Sequence, residues 1–358
     1  MTGEMGTADA RLDDTGAASP TGDNTGDISS VARELAAHCA KYQGANALTS
    51  VVQLATTSAL FLATCAAVMY GVSQEWWPAL ALTPIAAGLM VRLFILQHDC
   101  GHGSFFRSRL ANDLVGWGLS IITLTPYEYW RQSHAMHHAT SGNLERRGIG
   151  DIDTLTIAEY KALPLLKRLS YRAYRNPIIL LVLGAPYHFS IAQRIPFGQV
   201  LSFSRIWRSV LSLNLAIFAV YGGLLFLVGW KTLLISHIPV LVMAAWIGGW
   251  LFFIQHQFEN TSWQKGEDWD FHTSAILGSS YYVMPRVLQW FTGNIGIHHI
   301  HHLCNKIPNY RLQECLDASP KLQGMSRLTL TESLKCVRLA LWDEDAGKLV
   351  GFGALKST

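Results

Sequence analysis

The chain has 358 residues, of which 50% are apolar and 15% are charged, and its formal net charge is +3. This composition argues against a single small soluble domain, and the 12 Trp, 15 Phe and 12 Tyr are typical of a surface that meets lipid and its headgroup layer. A net charge this small identifies no partner by itself, and no nucleic-acid partner is expected.

The N-terminal residues 1–30 are rich in Gly, Thr, Ala and Asp and contain six acids against one Arg. Such a segment cannot bury enough apolar surface to offset the entropy that it would lose on ordering. We therefore predict a disordered tail over residues 1–30. The segment also lacks the apolar core of a secretory signal, so none is expected.

Four apolar stretches are each long enough to cross a bilayer, which takes roughly 20 residues of helix. They lie at residues 48–70, 79–96, 210–228 and 233–254. Two shorter apolar runs do not reach this length. Residues 114–125 contain two Gly and precede a Pro, which favours a buried or re-entrant segment, and residues 177–191 favour an interfacial one.

The basic residues predict how these stretches are oriented. The link 71–78 contains no Lys or Arg, whereas the long loop 97–208 contains thirteen. By the positive-inside rule the long loop, both termini and the C-terminal region face the cytoplasm. The fold class that follows is an all-α membrane protein, with four transmembrane helices arranged as two hairpins.

Histidines are clustered on the predicted cytoplasmic side. Three clusters have their imidazoles three or four residues apart, which puts them on one face of a helix, and a further His follows the fourth stretch. The residues are His98 and His102; His134, His137 and His138; His298, His299, His301 and His302; and His256.

This repetition of helix-face spacing predicts a metal site, although a lone His is usually only a packed side chain. Eight or nine imidazoles exceed the four ligands of one tetrahedral ion, so two ions are the simpler interpretation. The sequence has no HExxH motif of a zinc protease and no paired Glu-x-x-His of a carboxylate di-iron bundle. Imidazole binds Zn, Cu, Fe and Ni alike, so these residues alone leave the metal open.

The motifs HDCGH, HAMHH and HHIHH resemble the three histidine boxes of the membrane fatty acid desaturase family. The resemblance extends over residues 48–312. The blocks HHATSGNL, GDID, IQHQFE and GNIGIHH are similar to its acyl-lipid branch, which includes bacterial Δ5 and Δ12 desaturases. It implies a desaturase domain over residues 31–320, with a cytoplasmic helical cap that carries a histidine-ligated di-iron site, and a cytoplasmic C-terminal tail over 321–358.

The resemblance also implies which histidines bind the two Fe ions. Some family members use an Asn of the last span as well, and this chain has none there, so Asn294 is the substitute candidate. His299 is expected to pack or to support a ligand, and His38, His188, His237 and His272 to have ordinary structural roles. The implied ligands are His98, His102, His134, His137, His138, His256, His298, His301 and His302.

The activity that the resemblance implies is desaturation of a membrane-lipid acyl chain by O2 in a multi-pass protein of the bacterial inner membrane. The sequence has neither a haem-binding HPGG nor a dinucleotide-binding GxGxxG motif. The electrons are therefore expected from a separate carrier, such as ferredoxin, flavodoxin or cytochrome b5.

Two other functions are compatible with the residues. A hydroxylase or ketolase that acts on acyl, alkane or carotenoid chains would use the same di-iron scaffold. A histidine-rich metal transporter is the more distant alternative, because a transporter places its polar groups near the bilayer midplane, whereas these histidines gather at one surface.

Overall fold

The computed structural model describes residues 25–148, 150–195 and 203–356 of the chain. Most of the predicted disordered tail lies outside the described residues. Helix α1 (Thr25–Ala40) includes the last six residues of that tail, so the tail prediction extends too far. The reason is apolar burial farther along the same helix, where Leu35 and Cys39 pack into a core with the C-terminal region.

Four helices are long and apolar enough to cross a membrane, as predicted from the sequence. They are α2 (Ala47–Ser73), α3 (Thr83–His102), α9 (Phe203–Val228) and α10 (Trp230–His256). Helix α2 begins where the side chain of Asn46 accepts a hydrogen bond from the Thr49 N–H at 3.0 Å. Large apolar side chains of α9, such as Phe218 and Phe226, are 80% and 90% exposed, as suits contact with lipid.

The helices extend beyond the apolar stretches that predicted them. Helix α3 continues to His102, with Gly101 still helical, and α10 continues to His256, with no Pro or Gly after its apolar stretch. At the C-terminal end of α3, Gly103 ends the helix in a left-handed conformation with φ of 65°. Beyond its apolar part, helix α3 therefore carries His98 and His102, and α10 carries His256.

Between the two hairpins the chain forms the first half of a helical cap. Its helices are α4 (Arg109–Thr123), α5 (Tyr127–Thr140), α6 (Ile157–Ala162), α7 (Leu165–Tyr174) and α8 (Ala185–Ser190), with a π-helical segment at Ile178–Gly184. Leu110 and Leu114 of α4 are exposed while Leu119 is buried. The stretch predicted as buried or re-entrant is thus an amphipathic helix, and its outer apolar face suits an interfacial position.

After α10 the chain completes the cap with shorter elements. These are α11 (Phe271–Leu277), α12 (Arg286–Phe291), α13 (His298–Leu303), α14 (Asn309–Asp317), α15 (Pro320–Gly324) and α16 (Leu330–Cys336). Short strands accompany the cap helices: β1 (Leu155–Thr156) lies just before α6, and β2 (Tyr281–Tyr282), β3 (Arg327–Leu328), β4 (Leu341–Asp343) and β5 (Lys348–Val350) follow α10.

The segment predicted as a C-terminal tail packs back onto the cap. Strand β4 pairs in parallel with β1 and antiparallel with β5, so the sheet order is β1-β4-β5. Leu341, Trp342 and Leu349 are buried in this arrangement. The otherwise helical fold thus uses one small sheet to join residues from both halves of the cap.

Candidate metal centre

Nine histidines meet where α3, α5, α10 and α13 converge. Their ring nitrogens fall into two groups, and within each group the ligand atoms all lie within 4.8 Å of one another. The first group consists of His98, His102, His134, His138 and His301, and the second of His137, His256, His298 and His302. These are the nine histidines that the sequence selected.

Helical geometry explains how two short helices serve both groups. In α5, His134 and His138 are four residues apart and face the first group, whereas the intervening His137 faces the second. In α13, His298 and His302 share the second group, and His301 turns toward the first. The two groups are therefore adjacent.

Hydrogen bonds fix the proton position on two rings of the second group. His137 Nδ1–H donates to Asp151 Oδ1, and His256 Nδ1–H donates to the main-chain oxygen of Gly278 at 3.0 Å. Carboxylate and carbonyl oxygens only accept, so the proton of each neutral ring lies on Nδ1 and its Nε2 carries a lone pair. These two Nε2 atoms are 3.1 Å apart. Two lone pairs at that distance repel each other unless a cation lies beside both.

Other nitrogen spacings also fit a bound ion. His138 Nε2 is 3.1 Å from the Nε2 atoms of both His134 and His301. Two imidazoles at roughly right angles on one ion, with bonds of about 2.0–2.1 Å, would place their nitrogens about 3.0 Å apart. His98, His102 and His302 have buried Nε2 atoms with no hydrogen-bond partner among the described residues. The donor set therefore fits metal ions.

The protonation of the rings suits the same role. Burial, reinforced by the neighbouring rings, holds the pKa of His134, His138 and His301 well below its ordinary value. The same causes lower the pKa of His298 and His302. These imidazoles are thus neutral at physiological pH, which is the form that binds a metal.

Sequence reasoning missed the groups that support the rings from outside. Asp99 Oδ1 lies 3.3 Å from His98 Nδ1, and Asp99 Oδ2 accepts hydrogen bonds from the main-chain N–H and the side-chain Nδ2 of Asn309 at 2.7 and 2.8 Å. Asp151 is the corresponding group for His137. The available signal was position, because Asp99 lies inside the first histidine box and Asp151 shortly after the second.

His299 points away from both groups. Its Nε2–H donates to the main-chain oxygen of Leu322 at 3.0 Å, and its ring stacks on Tyr281. His237 likewise contacts the hydroxyl of Tyr221 at 2.7 Å. Asn294 donates from its side-chain amide to the Asn309 carbonyl. These contacts agree with structural roles for His299 and His237. The side-chain amide nitrogen of Asn294 is occupied by its hydrogen bond to Asn309.

Aromatic rings cover parts of both groups. Trp130 stacks on His134 with 4.7 Å between the ring centroids and 15° between the planes. Phe252 lies one turn before His256 in α10, with its ring centroid 5.6 Å from that of His137 and 5.8 Å from that of His256. The rings limit the access of water to the ligand nitrogens, which favours reactive oxygen chemistry over side reactions.

Comparison with known proteins gives a consistent result. The family model described as "Fatty acid desaturase" matches residues 75–332. The chain is 40% identical over 307 residues to a fatty acid desaturase of Bacillus subtilis, covering 86% of this chain and 87% of the relative. It is 30% identical over 244 residues to an sn-1 acyl-lipid omega-3 desaturase (ferredoxin) of Nostoc, covering 65% and 64%. An sn-1 oleoyl-lipid 12-desaturase of Synechocystis is 26% identical over 247 residues, covering 66% and 67%.

Proposed function

The chain belongs to the fatty acid desaturase family, and we propose that it introduces a cis double bond into the acyl chain of a membrane lipid. The observation that carries the proposal is the pair of histidine groups, which includes histidines at the ends of two helices long enough to span a membrane. Electrons from a separate carrier, together with O2, complete the reaction, in which two hydrogens leave adjacent carbons and water forms.

We assign two Fe ions to the two histidine groups, one to the group of five and one to the group of four. Bound iron would supply the O2 chemistry that breaks unactivated C–H bonds, which no side-chain acid or base can break. The support for two ions is the number of converging nitrogens, and the support for iron is the family. The five-histidine group offers one more ligand nitrogen than the four-histidine group, beside which the ring of Phe252 lies.

The chain's own residues contribute position and exclusion of water. Asp151 and the Gly278 carbonyl hold His137 and His256 in the orientation that directs Nε2 inward. Trp130 and Phe252 cover the rings from the sides. The acyl chain would lie between these aromatic residues and the apolar ends of the spans, with the carbons to be oxidised against the histidine layer.

The electron carrier is proposed to be an acidic protein such as a ferredoxin, the donor named for the Nostoc relative, with flavodoxin and cytochrome b5 as the other candidates. The loop between α5 and the π-helical segment offers exposed cations, including Arg146 and Lys167. With this loop and both termini in the cytoplasm of a bacterium, the carrier would approach the metal layer from its soluble side.

Expression in a host that lacks this activity tests the proposal. Fatty acid analysis should find a new unsaturated chain, and derivatisation of the double bond should place it at one position. A hydroxylated or keto product with no new double bond would favour the oxygenase alternative. Metal uptake without any modified lipid would favour the transporter.

A further inference from the structure

A second polar site lies beside the metal layer. A cleft of about 580 Å³ opens between α2, α3, α12 and α14. Its lining includes Gln53, Arg92, Arg286, Gln289, Asn309 and Asp317. So many polar side chains next to the apolar part of two spans require a polar ligand or water.

Arg92 is a buried cation without an anionic partner. Its Nε donates to the Thr57 hydroxyl at 3.2 Å, Nη1 donates to the Trp290 carbonyl, and the guanidinium lies 4.4 Å over the Trp290 ring. No carboxylate lies within ion-pair distance of Arg92 in the part of the chain that the structure describes. Because a charge removed from water is costly unless it is paired, this arrangement calls for an anion from outside the chain.

A second cation stands at the mouth of the cleft. Arg286 is exposed at the first position of α12 and has no ion pair within the described residues. Asp317 is the single acid among the described lining residues, and it is exposed and accepts a hydrogen bond from Gln313 at 2.8 Å. The ionisable lining groups thus sum to one positive charge. Val52 and Val287, each next in sequence to a residue of the lining, are 50% and 67% exposed, and we call this pair the apolar rim.

The cleft shares a wall with the first histidine group. Asn309 lines it, exchanges side-chain hydrogen bonds with Gln53 and donates to Asp99, whose other oxygen faces His98. A ligand in the cleft is therefore separated from a histidine of that group by two hydrogen bonds. An anion held there with an attached apolar chain would have that chain beside the metal layer.

From this placement we propose that the cleft binds the phosphate of the glycerophospholipid whose acyl chain is desaturated, with Arg92 and Arg286 as its cationic partners. A guanidinium offers several N–H donors in one plane, which matches phosphate oxygens. The apolar rim suits the glycerol and acyl parts of the lipid at the depth where α2 enters the bilayer. This proposal rests on the proposed function, because it assigns the acyl carrier of that reaction.

The test compares lipid binding by the full-length, iron-loaded protein in detergent micelles. The probes are phosphatidylglycerol and a neutral monogalactosyl diacylglycerol with identical acyl chains, each used to displace a fluorescent phosphatidylglycerol. Arg286→Gln should weaken phosphatidylglycerol binding roughly 10-fold and leave galactolipid binding unchanged. With phosphatidylglycerol as substrate, KM should rise by a similar factor and kcat should stay the same.

The matched control is Arg208→Gln, which neutralises an exposed Arg of α9 whose Nε donates to the Ser204 carbonyl of the same helix. It should change the binding of neither lipid. Arg92→Lys keeps the charge and loses the planar donor set, so it should weaken phosphatidylglycerol selectively, and thermal unfolding checks its fold. Equal phosphatidylglycerol binding in Arg286→Gln and Arg208→Gln would overturn the proposal.

Two further outcomes separate the sources of the phosphate and the two proposals. Displacement of the fluorescent lipid by palmitoyl-CoA at lower concentration than phosphatidylglycerol would assign the cleft to a soluble acyl carrier and refute the phospholipid. Selective phosphatidylglycerol binding without any desaturated product would instead refute the proposed reaction and leave the cleft assignment intact, because binding is measured without turnover.

Discussion

Two rings of the second histidine group, those of His137 and His256, each depend on an atom outside the group. The hydrogen bond to Asp151 directs the lone pair of His137 inward, and the bond to a main-chain oxygen does the same for His256. Asp151 can be removed by substitution, whereas the main-chain oxygen cannot. This difference lets the role of a supporting residue be tested apart from the role of a ligand.

Replacing a proposed ligand should abolish the reaction. His256→Ala and His301→Ala each remove one nitrogen from a different group, so desaturation should fall below detection and iron content should drop. His237→Ala removes a ring that contacts Tyr221 instead, and it should retain most activity. His299→Ala should be intermediate, with a loss of roughly 10–100-fold. The readout is the unsaturated acyl fraction per membrane protein; an active His301→Ala would refute the ligand assignment.

Asp151→Asn should weaken metal binding without removing a ligand. The amide oxygen of Asn can still accept from His137 Nδ1–H, but it carries no charge, so the bond that orients the ring is weaker and metal affinity should fall about 10–100-fold. Iron retention during dialysis against a chelator measures this directly. Asp153→Asn is the neighbouring control, because its carboxylate is exposed and its bonds to Tyr171 and Arg175 come from the main chain. Equal retention in both variants would contradict the supporting role.

At the scale of elements, the contact between α4 and α5 depends on a missing side chain. A Cβ at Gly116 would lie 2.3 Å from the ring of Tyr127, the first residue of the helix that carries His134, His137 and His138. The histidines begin about two helical turns beyond this contact. Helix α5 must hold the positions of their imidazole rings to within a fraction of an ångström.

Two glycines of α4 should therefore respond oppositely to the same substitution. Gly118→Ala meets no atom within 4 Å and should stabilise the protein slightly, by about 0.5–1 kcal/mol, because Ala favours helix. Gly116→Ala should destabilise it by about 1–3 kcal/mol through overpacking against Tyr127. Thermal unfolding of both variants in the same detergent gives the comparison. A Gly116→Ala protein as stable as Gly118→Ala would contradict the close packing.

The orientation of the spans can be tested at their links. Glu75 follows α2 and Lys231 begins α10, and both are exposed, as is Gly148 in the cap. A Cys at Glu75 or Lys231 should react with a membrane-impermeant maleimide in intact cells, whereas a Cys at Gly148 should react only after lysis. Five of the six native Cys are buried, which keeps the background low. Labelling of Gly148→Cys in intact cells would reverse the proposed topology.

The sequence predicted the four long helices well because their signal is composition over about 20 residues, which needs no partner. The apolar stretches do not mark the ends of α3 and α10, since a helix continues past its apolar stretch until the backbone leaves helical conformation, as at Gly103. The sheet of β1, β4 and β5 could not be predicted, because each strand is two or three residues long and the pairing of β1 with β4 joins Leu155 to the distant Leu341.

For the metal centre, spacing predicted which residues of one helix share a face, and the nine histidines do converge. Their division into five and four was beyond the sequence, because it depends on how α3, α5, α10 and α13 are rotated against one another. The supporting residue Asn309 was hidden for the same reason, since it lies 210 positions from Asp99.

Considered as a whole, the molecule brings together ligands from four helices on both sides of the middle of the chain. We expect about two Fe per chain when the protein is produced with ample iron and kept anaerobic. Because binding favours the folded state, iron loading should also raise the unfolding temperature, and His301→Ala should lose part of that gain. Elemental analysis alongside thermal unfolding measures both. One ion per chain in fully active protein would contradict the two-ion assignment.

The neighbouring pairs His137–His138 and His301–His302 each divide between the two groups. The separation of the two histidine groups is consequently set by the advance of a helix over a single residue, and it is set twice, by two independent helices. This separation does not change when the spans are lengthened, shortened or repacked. Proteins with this fold can therefore differ in which part of a lipid reaches the histidine groups, while the spacing of the two groups stays the same.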